Sequence, residues 1–215
     1  MKLDRSSMLL YAVTDRTWLK GRSLADAVEE ALRAGVTFLQ LREKDLDYAS
    51  FLELAREIKG ITDKYGIPYV INDNVEVAMA VGADGVHVGQ DDMAPEDVRK
   101  IIGPDKILGV SAQTVGQALL AEKKGADYIG VGSIFPTSTK PDAETVSFDT
   151  LKAICEAVSI PVVAIGGINK DNAMRLSGSG IDGIAVVSAI FAREDIATAV
   201  RELREAASRV VGHEL

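Results

Sequence analysis

At 215 residues, 47% of them hydrophobic, the chain has enough apolar material for one sizeable core, and its length suits a single domain over residues 1–215. A net charge of −8 provides no global positive field, so nucleic acid is excluded as an expected partner and an anionic ligand must be held by locally placed cations and backbone amides. The lone cysteine, Cys155, cannot form an internal disulfide, and its neighbours Leu151, Ile154 and Val158 describe a buried helical thiol in a reducing compartment, not a catalytic one.

From the N-terminus, residues 1–7 lead straight into a short strand-like run with no long apolar leader, and no later stretch is apolar enough to span a membrane. A cytoplasmic protein without membrane association is therefore expected. Short apolar runs then recur at Leu9–Val13, Thr37–Leu41, Tyr69–Ile71, Gly85–Val88, Ile107–Val110, Tyr128–Val131, Val162–Ile165 and Gly183–Val187. They have the character of buried parallel strands. Between them lie segments of helical period. After the second run, for example, Phe51, Leu54, Ala55, Ile58 and Ile61 share one face, and Glu53, Arg56, Glu57 and Lys59 the other. Ser23 with Asp26 forms a capping signal, and Gly66-Ile67-Pro68 and Ser159-Ile160-Pro161 stop helices before the next strand.

The repeat is roughly 25 residues, the size of one barrel unit. Alternating strands and helices fit either an open doubly wound sheet or a closed barrel, and eight units favour a single-domain (β/α)8 TIM barrel of the α/β class. The echoing phrases Ala34-Gly35-Val36, Val81-Gly82-Ala83-Asp84-Gly85, Lys124-Gly125-Ala126-Asp127 and Ser179-Gly180-Ile181-Asp182-Gly183 fall where helices turn back into strands, as a barrel of similar units requires. The longest irregular segment, Pro136–Thr145, has the composition of an active-site loop.

A barrel of this kind places its reactive groups at the C-terminal ends of its strands, and that is where the unusual polar residues fall. After the second run, strand alternation puts Gln40, Arg42 and Lys44 on one side and Leu39 and Leu41 on the other. These polar groups either reach solvent or grip an anion, and neighbouring cations favour the anion because they are costly to bury without one. Asp73 follows the third run, and Asp91 and Asp92 follow the fourth. Each suits a helix cap or loop, but carboxylates opposite a cationic strand also suit a bound Mg2+. Gly166-Gly167 and Ser188, after the seventh and eighth runs, form either tight turns or a phosphate cradle. His87 points toward the barrel interior, where structural and catalytic roles both remain open. Tyr11 and Trp18 carry no functional signal.

In chain order, Tyr11-Ala12-Val13-Thr14-Asp15, Gln40-Leu41-Arg42-Glu43-Lys44, Ile71-Asn72-Asp73, Val86-His87-Val88-Gly89-Gln90-Asp91-Asp92, Gly132-Ser133-Ile134-Phe135-Pro136-Thr137-Ser138-Thr139-Lys140 and Ala164-Ile165-Gly166-Gly167-Ile168 resemble the motifs of the thiamine phosphate synthase family. The resemblance spans about residues 11–190, and its weight lies in the order of the motifs, one at each of several strand ends. It implies a transferase that joins 4-amino-2-methyl-5-pyrimidinylmethyl diphosphate to a thiazole phosphate, carboxylated or not, releasing pyrophosphate and forming thiamine monophosphate.

Carried onto matching positions, the resemblance implies that Gln40, Leu41, Arg42, Glu43, Lys44, Asn72, Ser111 and Lys140 hold the pyrimidine diphosphate. Thr137, Ser138, Thr139, Gly167, Val187 and Ser188 would hold the thiazole phosphate, Asp73 and Asp92 would bind Mg2+, and Arg42, Lys44, Lys140 and Ser111 would be catalytic. Glu43 is expected to act through its backbone or as a support. Asp91 stands where the family often has Glu, and Asn74 where it often has Arg. A thiazole tautomerase of the same barrel type would lack the full diphosphate and metal set, and a non-catalytic phosphate-binding barrel would not need Asp73, Asp92 and Lys140 together. A homo-oligomer is compatible with all these readings.

Overall fold

A computed structural model describes residues 3–137 and 145–212. Eight parallel strands close into a barrel in chain order: β1 (Leu10–Val13), β2 (Phe38–Leu41), β3 (Tyr69–Asn72), β4 (Gly85–Val88), β5 (Ile107–Ala112), β6 (Tyr128–Val131), β7 (Val162–Ile165) and β8 (Gly183–Val186). The outer helices are α1 (Leu24–Ala34), α2 (Tyr48–Tyr65), α3 (Val75–Val81), α4 (Pro95–Ile102), α5 (Val115–Lys123), α6 (Phe148–Ala157), α7 (Ser188–Phe191) and α8 (Ile196–Val211). One departure from the expected rhythm lies between β7 and β8, where a 3-10 turn, Ala173–Leu176, stands in place of an α-helix. The short α7 brings the helix count back to eight.

Because successive strand side chains face opposite ways, the strands feed two separate apolar clusters, β4 alone giving the inner one no apolar side chain. Leu39, Leu41, Ile71, Val86 and Ile129 pack outward against the helices, whereas Tyr11, Phe38, Val70, Tyr128 and Val163 fill the barrel interior. The helices turn their apolar stripes onto the outer cluster, and on α2 this stripe includes Phe51, Ala55 and Ile58. Their ends are set by local chemistry. Ser23 accepts a bond from the Asp26 amide at the start of α1, Gly66 closes α2 in the left-handed conformation, and Thr114 with Gln117 forms a reciprocal capping box on α5.

The echoing phrases have a common physical basis at the N-terminal end of the barrel. Asp84 Oδ2 accepts from the Tyr69 amide at 2.9 Å, Asp127 Oδ2 from the Leu108 amide at 2.8 Å and Asp182 Oδ2 from the Val162 amide at 2.8 Å. Each aspartate, just before an even-numbered strand, thus ties down the start of the odd-numbered strand before it. Thr37 does the same for β1 with its hydroxyl, which accepts from the Leu10 amide at 2.9 Å. Among the described residues, no helix is long and apolar enough to cross a membrane.

Candidate active site

The C-terminal end of the barrel gathers the polar residues expected there. From β2, Gln40 points inward and is buried, while the Leu41 side chain is fully buried in the outer cluster, so Leu41 can meet a ligand only through its backbone. The Arg42 amide donates to Thr14 Oγ1 at 3.0 Å, and its guanidinium lies 3.6 Å from Asp15. Glu43 accepts from Arg16 Nε at 2.9 Å, and its side chain is 5% exposed. Its carboxylate ties this motif to the β1 loop.

Lys44 Nζ lies 2.8 Å from Asp73 Oδ2. Asp73 is one of two described non-glycine residues with positive φ, at 62°, a conformation that Asp tolerates better than most residues but that costs local energy. Its amide donates to His87 O at 2.8 Å, which fixes this turn against β4. The cap of α3 is Asn74, whose Oδ1 accepts from the Val77 amide at 2.9 Å. Asp73 is thereby free of the capping role the sequence also allowed, and Asn74 has a structural use of its own.

Asp92 Oδ2 accepts from the Gly89 amide at 2.7 Å, which turns the β4 loop back toward Asp73. Burial, and then the neighbouring Asp73 carboxylate, push the Asp92 carboxyl above its ordinary range, with Lys44 partly opposing the shift. Asp92 beside the Asp73 carboxylate and a lysine forms a donor set for a hard divalent cation, which would offset the repulsion that Asp92 feels. Among the described residues no group of three or more His, Cys, Asp or Glu converges, so the pair suits Mg2+, which takes one or two protein carboxylates and fills its remaining positions with water and phosphate oxygens.

On β5, the neighbour of β4, Ser111 is half-buried; its Oγ meets His87 Nε2 at 2.9 Å and its carbonyl accepts from Gln90 Nε2 at 2.6 Å. Asn72 is buried at the end of β3. At β7, a side chain on Gly166 would place its Cβ 2.1 Å from Ser133 Oγ, and one on Gly167 would place it 2.5 Å from Pro136 O. The close approach of the β6 and β7 loops thus demands both glycines, whatever they bind. Thr137 follows Pro136 in that loop, and Val187 and Ser188 open α7 across from it. Ser138, Thr139 and Lys140 lie outside the described residues.

Beneath the mouth runs a buried polar chain that strand alternation alone does not reveal. Gln40 Nε2 donates to Tyr11 Oη at 2.5 Å, Tyr11 Oη meets Tyr128 Oη at 2.7 Å, and Tyr128 Oη meets His87 Nδ1 at 2.9 Å. Burial holds His87 neutral, its pKa lowered to about 4 against a weaker opposing pull from Asp92. Burial also raises both tyrosine hydroxyls, so neither ionises near neutrality. The sequence did contain a signal for this chain. Gly109 and Gly130 interrupt β5 and β6, and glycine inside a strand often marks a close approach by another group.

Burial pushes the Cys155 thiol up to about 12, which removes it as a nucleophile near neutral pH. An open groove of about 620 Å3 lies on the barrel flank, lined by Arg16, Arg22, Leu46, Glu53 and Leu54 among others. It includes Arg16, the partner of Glu43, but none of Lys44, Asp73, Asp92, His87 or Ser111.

The sequence profile described as thiamine monophosphate synthase matches residues 10–190. The thiamine-phosphate synthase of Clostridium tetani (strain Massachusetts / E88) is 57% identical over 194 residues, covering 90% of this chain and 93% of that protein. That of Clostridium beijerinckii (strain ATCC 51743 / NCIMB 8052) is 54% identical over 203 residues, covering 94% and 96%. Among solved structures, a thiamine phosphate pyrophosphorylase from Pyrococcus furiosus superposes with a TM-score of 0.89 at 44% identity, covering 97% of this chain and 99% of that one.

Proposed function

The chain belongs to the thiamine monophosphate synthase family and is a transferase of thiamine biosynthesis, and from that premise we propose how its barrel mouth performs the reaction. The substrates are 4-amino-2-methyl-5-pyrimidinylmethyl diphosphate and a thiazole phosphate, and the products are thiamine monophosphate and pyrophosphate. The observation that carries this reading is the meeting of Lys44, Asp73 and Asp92 on one side of the mouth, with Ser111 on the strand next to β4. That arrangement suits a leaving diphosphate, whereas a thiazole isomerisation has no use for it.

The C–O bond to diphosphate breaks first, leaving a pyrimidinylmethyl cation stabilised by its amino-substituted ring, and the thiazole nitrogen then captures that cation. No protein nucleophile is required, in keeping with the half-buried thiol of Cys155, whose pKa is pushed up to about 12. Asp73 and Asp92 would hold Mg2+, which supplies charge neutralisation for the departing pyrophosphate. Arg42 and Lys44 bind the same oxygens, Arg42 through its planar fork and Lys44 as a point charge, and Lys140 adds a third cation. Gln40 and Asn72 orient the pyrimidine, and Ser111 donates to the diphosphate end. Gly167, Val187 and Ser188 offer backbone amides to the thiazole phosphate, and Thr137, Ser138 and Thr139 are assigned to the same group by their match to the family motif. Such alignment places the thiazole nitrogen at the cation before water can reach it.

Pyrophosphate release is the direct test. It should require both substrates and Mg2+, and Lys140→Ala should slow it roughly hundredfold, the scale of losing one group that stabilises developing charge. Wild-type turnover in that variant would remove Lys140 from the site. Thiazole isomerisation without coupling would replace the proposed reaction with a tautomerase.

A further inference from the structure

The buried chain below the mouth has a direction that can be worked out from proton counting. Gln40 Nε2 donates to Tyr11 Oη, so the one proton of Tyr11 is available for Tyr128 Oη, 2.7 Å away. The Tyr128 oxygen accepts that bond, and its own proton goes to His87 Nδ1 at 2.9 Å. With Nδ1 an acceptor, the neutral ring carries its proton on Nε2 and donates it to Ser111 Oγ at 2.9 Å. Ser111 therefore has its acceptor side used from below and its hydroxyl proton left for the mouth.

The opposite direction would need the Gln40 amide turned over, or would leave the buried Tyr11 proton with no acceptor in the chain. Ser111 would then donate downward into His87 and present lone pairs to the ligand. Lone pairs facing an anion are repelled, so a diphosphate beside Ser111 selects the first direction.

Two further features show that the interior is built around this chain. A Cβ at Gly109 would lie 2.1 Å from Tyr128 Cζ, and one at Gly130 would lie 3.2 Å from His87 Cε1, so β5 and β6 give up side chains exactly where the two rings pass. Tyr11 and Tyr128 also bury hydroxyls completely. Phenylalanine would fill the same space without the cost of desolvating them.

We propose that His87 is a positioning residue, and that the relay Gln40–Tyr11–Tyr128–His87–Ser111 fixes the Ser111 hydroxyl as a hydrogen-bond donor to the anionic end of the substrate while tying it to the Gln40 amide across the barrel. The kinetic side of this inference rests on the reaction proposed above. Its structural side does not.

The chain holds two histidines, His87 and His213, so a 15N-histidine spectrum of the protein, assigned with His213→Ala, reads the tautomer of His87 directly. The expected result at neutral pH is the Nε2–H tautomer, with its preference weakened in Tyr128→Phe. An Nδ1–H tautomer or a charged ring in the wild type overturns the direction.

In the coupling assay, Tyr128→Phe keeps the ring and should lower kcat roughly tenfold with KM little changed, less than the loss of a whole donor. His87→Gln, whose amide can still donate to Ser111, should stay within about threefold of wild type, whereas His87→Leu should fall to the level of Ser111→Ala. Joining His87→Leu to Ser111→Ala should add no further loss, because both remove the same donor. Wild-type kcat in both His87→Leu and Tyr128→Phe, or losses that multiply in the double variant, overturns the positioning role. Should His87→Leu fail to fold, Tyr128→Phe and the spectrum still decide. A wild-type protein that releases no pyrophosphate with both substrates refutes the proposed reaction instead, and the spectrum then tests the relay by itself.

Discussion

Replacing Asp92 with asparagine should separate stability from turnover. Asparagine keeps an oxygen in place of Asp92 Oδ2 to accept from the Gly89 amide, now 2.7 Å away, so the β4 loop retains its turn. What disappears is a negative charge that burial and the Asp73 carboxylate both disfavour. For a solvent-exposed pair such repulsion is worth no more than about 1 kcal/mol, which for a chain of this length is a rise in Tm of roughly 2–4 °C or none. Turnover should move the other way and by more. Losing one group that supports the departing charge costs on the order of a hundredfold in kcat, about 3 kcal/mol.

Thermal melts with and without Mg2+, alongside pyrophosphate release, supply the two readings. At tenfold over its dissociation constant, Mg2+ should stabilise the wild type by about 1.4 kcal/mol, roughly 3–5 °C, and leave Asp92→Asn almost unmoved. In the metal-free wild type, the raised Asp92 pKa means that stability is regained as pH falls through that value toward the ordinary 3.8. A melt several degrees lower, joined to undiminished turnover, would assign Asp92 to loop structure and refute the metal reading.

Burial of neutral His87, with its pKa lowered from 6.5 to about 4, gives stability that is complete above pH 6.5 and declines as pH falls toward 4, because the unfolded chain takes up the proton first. Its full extent is roughly 3 kcal/mol, and urea titrations at pH 7 and pH 5 should show a smaller drop for His87→Gln than for the wild type. Gly109→Ala forces a methyl to within 2.1 Å of Tyr128 and should cost about 3 kcal/mol by urea melt; an unchanged midpoint would mean that the relay is loosely packed. Asp127→Ala leaves the Leu108 amide without its carboxylate partner and should lose about 1–3 kcal/mol while KM stays constant, since this end of the barrel is remote from the mouth.

The barrel was legible because the strands are buried on both faces and so read as short apolar runs, with glycine or proline ahead of each from β2 to β8. Alternation placed Gln40 on the inner side of β2, but the strand ends at Leu41, so Arg42 and Lys44 stand in the loop beyond it, where alternation no longer applies. Leu41 shows the limit of motif matching, since a residue inside a functional motif can have its side chain in the outer cluster. The use of Asp73 was ambiguous because Asp and Asn both cap helices, and only coordinates show that Asn74 takes the cap. The relay was hidden for a different reason. Period tells which way a side chain points but not whom it meets, and Tyr11 and Tyr128 meet across a separation of 117 residues. Likewise, nothing in the apolar pattern between β7 and β8 distinguishes a 3-10 turn from a helix.

The carboxylate ties at the N-terminal end, together with Thr37, join strands two by two: β1 with β2, β3 with β4, β5 with β6 and β7 with β8. Across the β2–β3 joint Leu39 N bonds to Pro68 O, and across β6–β7 Ile129 N bonds to Pro161 O beside a Ser159 amide bond to Glu122, while Lys106 reaches Ala83 O across β4–β5 and Arg5 reaches Asp182 across β8–β1. At its base the ring is thus four quarters, each a pair of strands with its own amide tie. A circular permutant opened near Gly66 or Ser159 divides it at a seam and keeps every quarter whole, whereas one opened near Asp84 or Asp127 splits a quarter and should refold less readily.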